Sequence, residues 1–278
     1  MDRVAARAIK SGAMTQSRTA IGIDVGGTGI KGAGIDPRTG EKLTSRHKVL
    51  TPVGAKPADV AREVGAMAAA IRAELEGAGL VESEARIPVG VTLPSVVRQG
   101  IVRTAANVDP SWIGADASEL LSKAVGSHCL VVNDADAAGM AEATFGELGG
   151  LEGSTLVLTF GTGIGSALVY NGTLVPNFEL GHIEFEGHPI VERYAAAKVI
   201  EREGITLEEW ASRVAGYLRH LEKIVNPDRF VLGGSISKAS DQYLPFPGVV
   251  VPVVPAHFRN NAGIVGAAKL AAEEAAGV

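Results

Sequence analysis

Residues 21–31 read IGIDVGGTGIK, and residues 156–165 read LVLTFGTGIG. Each stretch begins as an apolar strand, breaks at glycines and resumes as an apolar strand. Glycine lets backbone N–H groups turn toward an anion and lets a phosphate approach closely, and the hydroxyls of Thr28 and Thr162 add donors. A single glycine-rich loop is most often an ordinary hairpin turn. Two loops of matching chemistry in one chain predict a pair that holds a phosphate chain from both sides.

The composition indicates a folded protein that is not built to attract nucleic acid. The chain has 278 residues, enough for one large or two ordinary domains, and 46% of them are hydrophobic. Its net charge of −5 argues against a nucleic-acid partner, so an anionic substrate must meet local positive charge. No run of about 18 apolar residues occurs, so no membrane span is predicted.

The cysteine content bears on the compartment. The single cysteine, Cys129, excludes a disulfide within the chain and fits a reducing cytoplasm, which is the expected location. It stands in an apolar run, where a buried and inert thiol is the favoured interpretation. Residues 1–19 carry scattered cations and no apolar stretch that could form a signal-peptide core, so we expect a mobile leader there.

The chain repeats its opening pattern of strands. A meander of three strands, over residues 21–25, 30–35 and 43–50, is predicted in the first half. A helix over 57–79 and a buried strand at 87–93 follow. A second meander is predicted by the runs 155–160, 165–169 and 173–175. The repetition predicts two similar α/β domains that face a cleft.

Two helices are predicted in the second half. Thr206 and Glu209 form a capping box that begins a helix, which ends near Asn226 because Pro227 follows. The apolar stripe of this helix indicates core packing or a subunit contact. Residues 262–275, rich in alanine, predict a closing helix.

Taken together, the motifs resemble the ROK family (repressors, open reading frames, kinases) of actin-like sugar kinases. Four runs resemble the phosphate-1, phosphate-2, adenosine and sugar-binding motifs of these kinases, namely 24–31, 160–165, 232–236 and 179–182. Further runs are similar to the polyphosphate glucokinases within the family, namely 103–109, 111–114, 133–139 and 261–268. The resemblance extends from about Ile21 to Ala268.

The resemblance implies an α/β fold of two similar actin-like (ribonuclease H-like) domains flanking a cleft. The smaller N-terminal domain would comprise residues 20–132 plus 262–278, closed by the C-terminal helix. The larger C-terminal domain would comprise residues 133–261. The cleft would take the sugar and the phosphate donor, and a homodimer is expected.

Asp134 is the candidate catalytic base. It follows the apolar run 130–132, and a carboxylate at the end of such a strand faces the crevice of an α/β sheet. Phosphoryl transfer to an alcohol needs a group that accepts the hydroxyl proton. From spacing alone, Asp134 could equally cap the following helix; the family resemblance favours the base. Asp136 is interpreted as a charge at the helix N-terminus, with an outer-shell metal role as the alternative.

Sugar-binding residues are implied mainly by the resemblance. Each sugar hydroxyl both donates and accepts, so carboxylates, imidazoles and amides suit it. The resemblance assigns the ring hydroxyls to Glu179 and His182, with Asn107, Asn133 and Glu192 as further partners. His182 alone would more often be structural, and metal binding is the other alternative.

The sequence departs from the wider family after His182. Many relatives place a cysteine-rich zinc motif there, whereas residues 183–190 contain no cysteine. Without thiolates no comparable tetrahedral site can form, so no structural zinc is predicted. A second departure is Ser166, where many relatives continue with glycine; this variant is similar to the polyphosphate-using subgroup.

The phosphate donor and its metal are assigned by the same resemblance. Asp24 would lie near a complex of Mg²⁺ and phosphate and reach it directly or through water. The alternative is a strand-end aspartate bonded to its own turn, and Lys31 could equally be a surface lysine. The implied donor-binding residues are Asp24, Gly26, Gly27, Thr28, Gly29, Lys31, Thr162, Gly163, Gly233 and Gly234.

The expected activity is phosphorylation of the 6-hydroxyl of glucose, with mannose as a further acceptor and with polyphosphate and ATP as donors. An ATP-only ROK hexose kinase is the alternative, because the loops serve either donor. A sugar-responsive ROK regulator is disfavoured, since such relatives carry a DNA-binding domain before the first loop and only 20 residues precede Ile21 here.

Overall fold

The computed structural model describes residues 18–105 and 108–277, and it contains two five-stranded sheets with helices packed around them. The strands are β1 (Ala20–Val25), β2 (Gly29–Ile35), β3 (His47–Leu50), β4 (Val89–Leu93), β5 (Val97–Arg98), β6 (Ile101–Val102), β7 (Cys129–Asn133), β8 (Ser154–Phe160), β9 (Ile164–Tyr170), β10 (Thr173–Val175), β11 (Arg229–Gly234) and β12 (Val253–Pro255). The helices are α1 (Pro57–Gly77), α2 (Ala117–Val125), α3 (Asp134–Phe145), α4 (Glu192–Ala195), α5 (Lys198–Glu203), α6 (Leu207–Ile224) and α7 (Ala262–Ala276).

The two sheets share one topology. The first has the order β3-β2-β1-β4-β7, and the second has the order β10-β9-β8-β11-β12. In each sheet three antiparallel strands form a meander, and two strands parallel to the first strand follow. The repeated meander predicted from the sequence is therefore confirmed. Each glycine-threonine loop is the turn between the first two strands of its sheet.

Helices α3 and α7 lie between the two sheets. Helix α7 packs on the first sheet, where a Cβ at Gly22 would stand 1.9 Å from the carbonyl oxygen of Ile264. Helix α3 packs on the second sheet, where a Cβ at Gly139 would stand 2.3 Å from the Cβ of Ala167. The two helices also contact each other at Gly266, which has no room for a side chain. Glycine at these positions permits close approach of backbones.

We name the first sheet with α1, α2 and α7 the first lobe, and the second sheet with α3–α6 the second lobe. This grouping follows the packing: α1 and α2 share a core with the first sheet, and α6 shares one with the second. The exact domain boundaries given above stay a prediction, and residues 1–17 of the leader lie outside the described residues. Within the described part of the chain, no helix is long and apolar enough to cross a membrane.

Two predicted strands begin later than the sequence indicated. The prediction of a strand from residue 43 was wrong, because β3 begins at His47. The Thr44 hydroxyl accepts the N–H of Gly34, and the Ser45 N–H donates to Glu74, so side chains replace strand pairing there. Strand β4 begins at Val89 because Pro88 before it has no N–H to donate.

The prediction for helix α6 is confirmed in detail. The Thr206 hydroxyl accepts the N–H of Glu209, whose carboxylate accepts the N–H of Thr206. Trp210 and other residues of the apolar stripe are buried in the core of the second lobe. Of the two interpretations of this stripe, core packing is the one that the structure supports. Cys129 is also buried, and burial raises the pKa of its thiol to about 12.

Candidate active site

A cleft of about 480 Å³ lies between the two lobes. The first lobe contributes residues 94–96, residues 104–105 and Asn133 at the end of strand β7. The second lobe contributes the remaining walls. The cleft brings together eight of the residues singled out from the sequence, namely Asn133, Asp134, Thr162, Gly163, Glu179, His182, Glu192 and Gly234. Asn107 lies outside the described residues. The prediction that sugar-type and phosphate-type residues meet is thus supported by their shared cleft.

Asn133 caps helix α3. Its Oδ1 accepts the N–H groups of Ala135 and Asp136 at 2.7 and 3.1 Å, and its Nδ2 donates to the carbonyl of Ser95 at 3.1 Å. Sequence reasoning gave the capping role to Asp134 as the alternative to catalysis, but Asn133 fills it. Asp134 Oδ1 accepts the N–H of Ala135 at 2.9 Å. Asp134 also lines the cleft, where its carboxylate can meet a ligand.

The Asp134 carboxyl has an unusual proton affinity. Burial raises its pKa to about 7, and the negative charges of Asp24 and Glu179 add to the shift. Low dielectric and like charges both disfavour the ionised form of a carboxyl. A pKa near neutrality is what a general base needs in order to take a proton and release it again.

Asp136 has a role that the sequence did not reveal. It is buried, and its Oδ2 accepts the N–H of Asn177 at 2.9 Å. The side-chain oxygen of Asn177 in turn accepts the N–H of Val97 from the first lobe at 3.3 Å. Burial raises the pKa of Asp136 to about 6. The residue was interpreted as a helix N-terminal charge, and in the structure it also fixes a loop that touches both lobes.

Glu179, His182 and Glu192 form one cluster on the wall of the second lobe. His182 Nδ1 lies 3.4 Å from Glu179 Oε2, and His182 Nε2 lies 3.7 Å from Glu192 Oε1. Burial raises the pKa of Glu179. The cluster offers two carboxylates and an imidazole side by side, which matches the paired donor and acceptor character of sugar hydroxyls.

Ser166 positions Glu179. Its hydroxyl donates to the carbonyl of Phe178 at 2.7 Å and accepts the N–H of Leu180 at 2.9 Å, so it holds the backbone on both sides of Glu179. The sequence marked Ser166 only as a departure from the wider family. A glycine there could make neither bond, so the position of Glu179 depends on this serine.

The second glycine-threonine loop is packed against the sugar-type cluster. Its turn closes through the Gly161 N–H, which donates to the carbonyl of Gly163 at 3.0 Å. Glu192 Oε2 accepts the N–H of Ile164 at 3.2 Å, and a Cβ at Gly163 would stand only 2.3 Å from that oxygen. Glu192 therefore links the cluster to the loop. This contact gives Glu192 a defined place although residues 183–190 depart from the family pattern.

Gly234 borders the same loop from strand β11. It has a φ of +87°, and a Cβ there would stand 2.0 Å from the carbonyl oxygen of Phe160. Only glycine tolerates both conditions. Gly233 lies beneath Thr159 and is absent from the residues that line the cleft in the described part of the chain. The structure thus brings Gly234, but not Gly233, to the cleft surface.

The first glycine-threonine loop lies outside the walls of this cleft. Its Gly26 N–H donates to the carbonyl of Gly29 at 3.1 Å, and the Thr51 hydroxyl donates to the carbonyl of Gly26 at 2.5 Å. Gly27 and Thr28 at its tip are exposed. Thr51 is a supporting residue that sequence reasoning missed, because nothing in its local pattern distinguishes it.

Asp24 stands at the end of strand β1, close enough to Asp134 to affect its proton affinity. Its Oδ1 accepts the hydroxyl hydrogen of the buried Thr92 at 2.8 Å, and the Lys31 ammonium lies 3.7 Å from Oδ2. A Cβ at Gly263 would stand 3.0 Å from Oδ1, so the first turn of α7 adjoins this carboxylate. Asp24 is thus bonded to neighbouring elements rather than to its own turn, and Lys31 is its ion-pair partner.

The donor set near Asp24 fits Mg²⁺ bound together with phosphate. Magnesium is held by one or two carboxylates and completes its shell with water and substrate oxygens. Within residues 18–105 and 108–277, no group of three or more His, Cys, Asp or Glu side chains is placed to hold a metal by itself. A metal here would therefore take most of its ligands from phosphate and water.

Residues 183–190 close on themselves where many relatives have a zinc motif. The N–H groups of Phe185 and His188 donate to each other's carbonyls at 3.0 and 2.9 Å. The His188 ring stacks on Tyr194 with centroids 3.9 Å apart. These contacts fix the loop without thiolates, and the absence of structural zinc stays a prediction.

The comparisons with known proteins agree with this architecture. The family model described as "ROK family" matches residues 20–196. The chain is 46% identical to a polyphosphate glucokinase of Mycobacterium tuberculosis, over 92% of each chain. Its sequence is also 46% identical to that of an inorganic polyphosphate/ATP-glucomannokinase from Arthrobacter sp. strain KM. The crystal structure of that protein matches with a TM-score of 0.80 and covers 92% of this chain and 99% of that chain.

A more distant structure shares the fold. The ROK hexokinase of Thermus thermophilus is 26% identical, with a TM-score of 0.71, and the match covers 94% of this chain and 100% of that chain. The expected two-domain actin-like fold of these sugar kinases is therefore confirmed. From the match of the family model over more than half of the chain, and from the two relatives at 46% identity, it follows that this chain belongs to the ROK family.

Proposed function

We propose that this chain transfers a phosphoryl group from inorganic polyphosphate to the 6-hydroxyl of glucose. The observation that carries the proposal is the cleft itself, whose lining brings together Asp134, the Glu179–His182–Glu192 cluster and the second glycine-threonine loop. The names of the two relatives at 46% identity, a polyphosphate glucokinase and a polyphosphate/ATP-glucomannokinase, support the choice of substrates.

Asp134 acts as the general base. As the bond from O6 of glucose to phosphorus forms, the hydroxyl proton passes to the Asp134 carboxylate, and the bridging P–O bond of the donor breaks. The shortened phosphate chain leaves with the electron pair of that bond. Because Asp134 has a pKa of about 7, it can later return the proton to water near neutral pH.

The sugar is oriented by the wall of the second lobe. Glu179, His182 and Glu192 bind ring hydroxyls, with Asn133 and Asn107 as further partners. The buried Ser166 keeps Glu179 in position through two backbone hydrogen bonds. A fixed orientation matters because holding two reactants in a near-attack geometry supplies a large part of the rate enhancement.

The donor lies between the two loops. Gly26–Gly29 of the first lobe and Thr162, Gly163 and Gly234 of the second offer N–H and hydroxyl donors to its terminal phosphates, and Gly233 shapes the backbone below. Asp24 would hold Mg²⁺, directly or through water, and the Lys31 ammonium partly neutralises the charge of this carboxylate. The bound metal would supply the positive charge that neutralises the phosphate oxygens during transfer.

ATP is a second donor in this proposal, and mannose is a second acceptor. Both are supported by the name of the Arthrobacter relative, which is a polyphosphate/ATP-glucomannokinase. The loops contact only phosphate groups, so they serve either donor. The homodimer and the cytoplasmic location stay predictions.

The assay that tests the proposed function supplies each donor separately. Purified enzyme with glucose, Mg²⁺ and nucleotide-free polyphosphate should produce glucose 6-phosphate, and ATP should compete with polyphosphate for the shared loops. Thr162→Ala should impair both reactions, whereas Thr173→Ala on the exposed strand β10 should impair neither. Turnover with ATP but none with polyphosphate would replace this proposal with an ATP-only ROK hexose kinase.

The pH profile tests the base. Only the ionised carboxylate of Asp134 can accept a proton, so kcat/KM should rise with pH through a midpoint near the Asp134 pKa of about 7 and level off above it. Asp136→Asn is the matched control, because it removes a neighbouring buried aspartate whose pKa is also raised, to about 6, and it should keep this midpoint. Loss of the acid limb in Asp136→Asn would assign the titration to Asp136 instead of Asp134.

A further inference from the structure

A second cavity, of about 670 Å³, lies beyond the cleft and carries a concentration of positive charge. We name it the basic groove, and it is lined by Arg46, Glu147, Lys238 and residues 255–261, which include His257 and Arg259. Three permanent cations face a single carboxylate there, in a chain whose net charge is −5. Within residues 18–105 and 108–277, Arg46, Lys238 and Arg259 form no ion pair, although fourteen such pairs occur elsewhere.

Cations connect the first glycine-threonine loop to the basic groove. Lys48 is paired with Lys31 across strands β2 and β3, and its Cε lies 3.5 Å from the position that a Cβ would take at Gly29. Arg46 stands two residues before Lys48, just before strand β3 begins at His47. The Arg46 guanidinium donates to Asn261 Oδ1 at 3.3 Å, on the wall of the groove. Positive side chains therefore follow one another from the loop to the groove.

The groove also adjoins the proposed metal site. Asn261 lines the groove, and Gly263, two residues on, packs against Asp24. Lys238 comes from the segment that follows Gly234, which borders the cleft. Residues that line the groove thus lie close in the chain to Gly263 beside Asp24 and to Gly234 at the cleft, and cations from both lobes line the groove.

The wall of the groove is held in place by a buried carboxylate. Glu142 of helix α3 is 3% exposed, and its two oxygens accept the N–H groups of His257 and Phe258 at 2.8 and 2.7 Å. The Phe258 ring packs edge-on against Phe145 of the same helix. The segment that presents His257 and Arg259 is therefore anchored to the helix that begins at Asp134.

We propose that the basic groove binds the distal phosphate units of a long polyphosphate chain whose terminal unit is at the catalytic cleft. This inference rests on the proposed function and adds to it the path of the donor. Polyphosphate carries charge on every unit, so a row of unpaired cations stabilises it progressively as the chain lengthens. We expect a triphosphate, whose few units are held at the two loops, to have none left for the groove.

The test measures long and short polyphosphate donors in a double variant of the groove and in a control double variant. In Lys238→Gln/Arg259→Gln, the KM for long-chain polyphosphate should rise roughly tenfold, as expected from two exposed charge contacts. The KM for tripolyphosphate and the kcat with either donor should stay within about twofold of the wild type. The salt dependence of the long-chain KM should also become shallower, because fewer charge contacts remain to be screened.

The control double variant, Arg86→Gln/Lys223→Gln, removes the same charge from two exposed sites away from the groove. It should leave the preference for long chains intact, and direct binding of long-chain polyphosphate to each variant without glucose gives a readout independent of turnover. Equal losses for long and short donors, or equal effects in the two double variants, would overturn the inference. If the wild type fails to use polyphosphate at all, the proposed function itself is wrong.

Discussion

Asp134→Asn should lower kcat by roughly 10²- to 10⁴-fold, the usual contribution of a general base. The amide keeps the shape of the side chain and can still accept the N–H of Ala135, but it cannot take the proton of the 6-hydroxyl. Helix α3 keeps its cap because Asn133 supplies it. The affinity for glucose, measured by calorimetry, should therefore change by no more than a few-fold.

Asp241→Asn is the matched control for this substitution, because Asp241 is an exposed aspartate of the second lobe, outside the lining of the cleft. It should keep the wild-type kcat. A nearly normal kcat in Asp134→Asn would remove this residue from the mechanism. A loss of glucose affinity with an unchanged kcat would instead give Asp134 a binding role only.

The same variant should change stability in a pH-dependent way. In the wild type the pKa of Asp134 is raised from 3.8 to about 7 on folding, so the folded state holds an extra proton between these values. The unfolding free energy therefore falls as pH rises through that window. Asp134→Asn removes this loss, and its melting temperature should exceed that of the wild type more at pH 8 than at pH 5. A pH-independent difference would contradict the raised pKa.

Gly266→Ala should have the largest effect on stability. A Cβ at this position would stand 1.7 Å from the carbonyl oxygen of Ala137, so α3 and α7 would have to move apart. We expect the unfolding free energy to fall by roughly 3 kcal/mol, the upper end for overpacking. In a chain of this size, that corresponds to a melting temperature lower by roughly 6–12 °C.

Activity should fall in Gly266→Ala even well below its melting temperature. Helix α3 begins at Asp134, and the first turn of α7 adjoins Asp24, so separating the helices displaces the base from the donor site. A misplacement of about 1 Å can cost about 10²-fold in rate. Gly77→Ala is the control, because an added Cβ there meets no atom within 4 Å, and it should be neutral or slightly stabilising. Similar melting temperatures for the two variants would refute the tight crossing.

The sequence alone determined the repeated architecture and the type of site. Glycine positions, apolar periodicity and capping residues are local signals, since a turn such as Gly26–Gly29 or a capping box such as Thr206 and Glu209 depends on residues that are neighbours in the chain. The two glycine-threonine loops were therefore identifiable before the fold was known, whereas Glu179, His182 and Glu192 were assigned through the family resemblance. The start of β3 was not, because Glu74, 29 residues away from Ser45, takes the place of a strand partner.

Tertiary structure alone decided which residues support the site and how charged groups behave. Thr92 bonds to Asp24, 68 residues away in the chain, and Glu142 anchors His257, 115 residues away. No local pattern encodes such contacts. The raised pKa of Asp134 depends on burial and on the charge of Asp24, and the basic groove depends on Arg46 meeting Lys238 across the two lobes. The pKa of a side chain depends on its burial and on its distance from other charges, and both are set only when the chain folds.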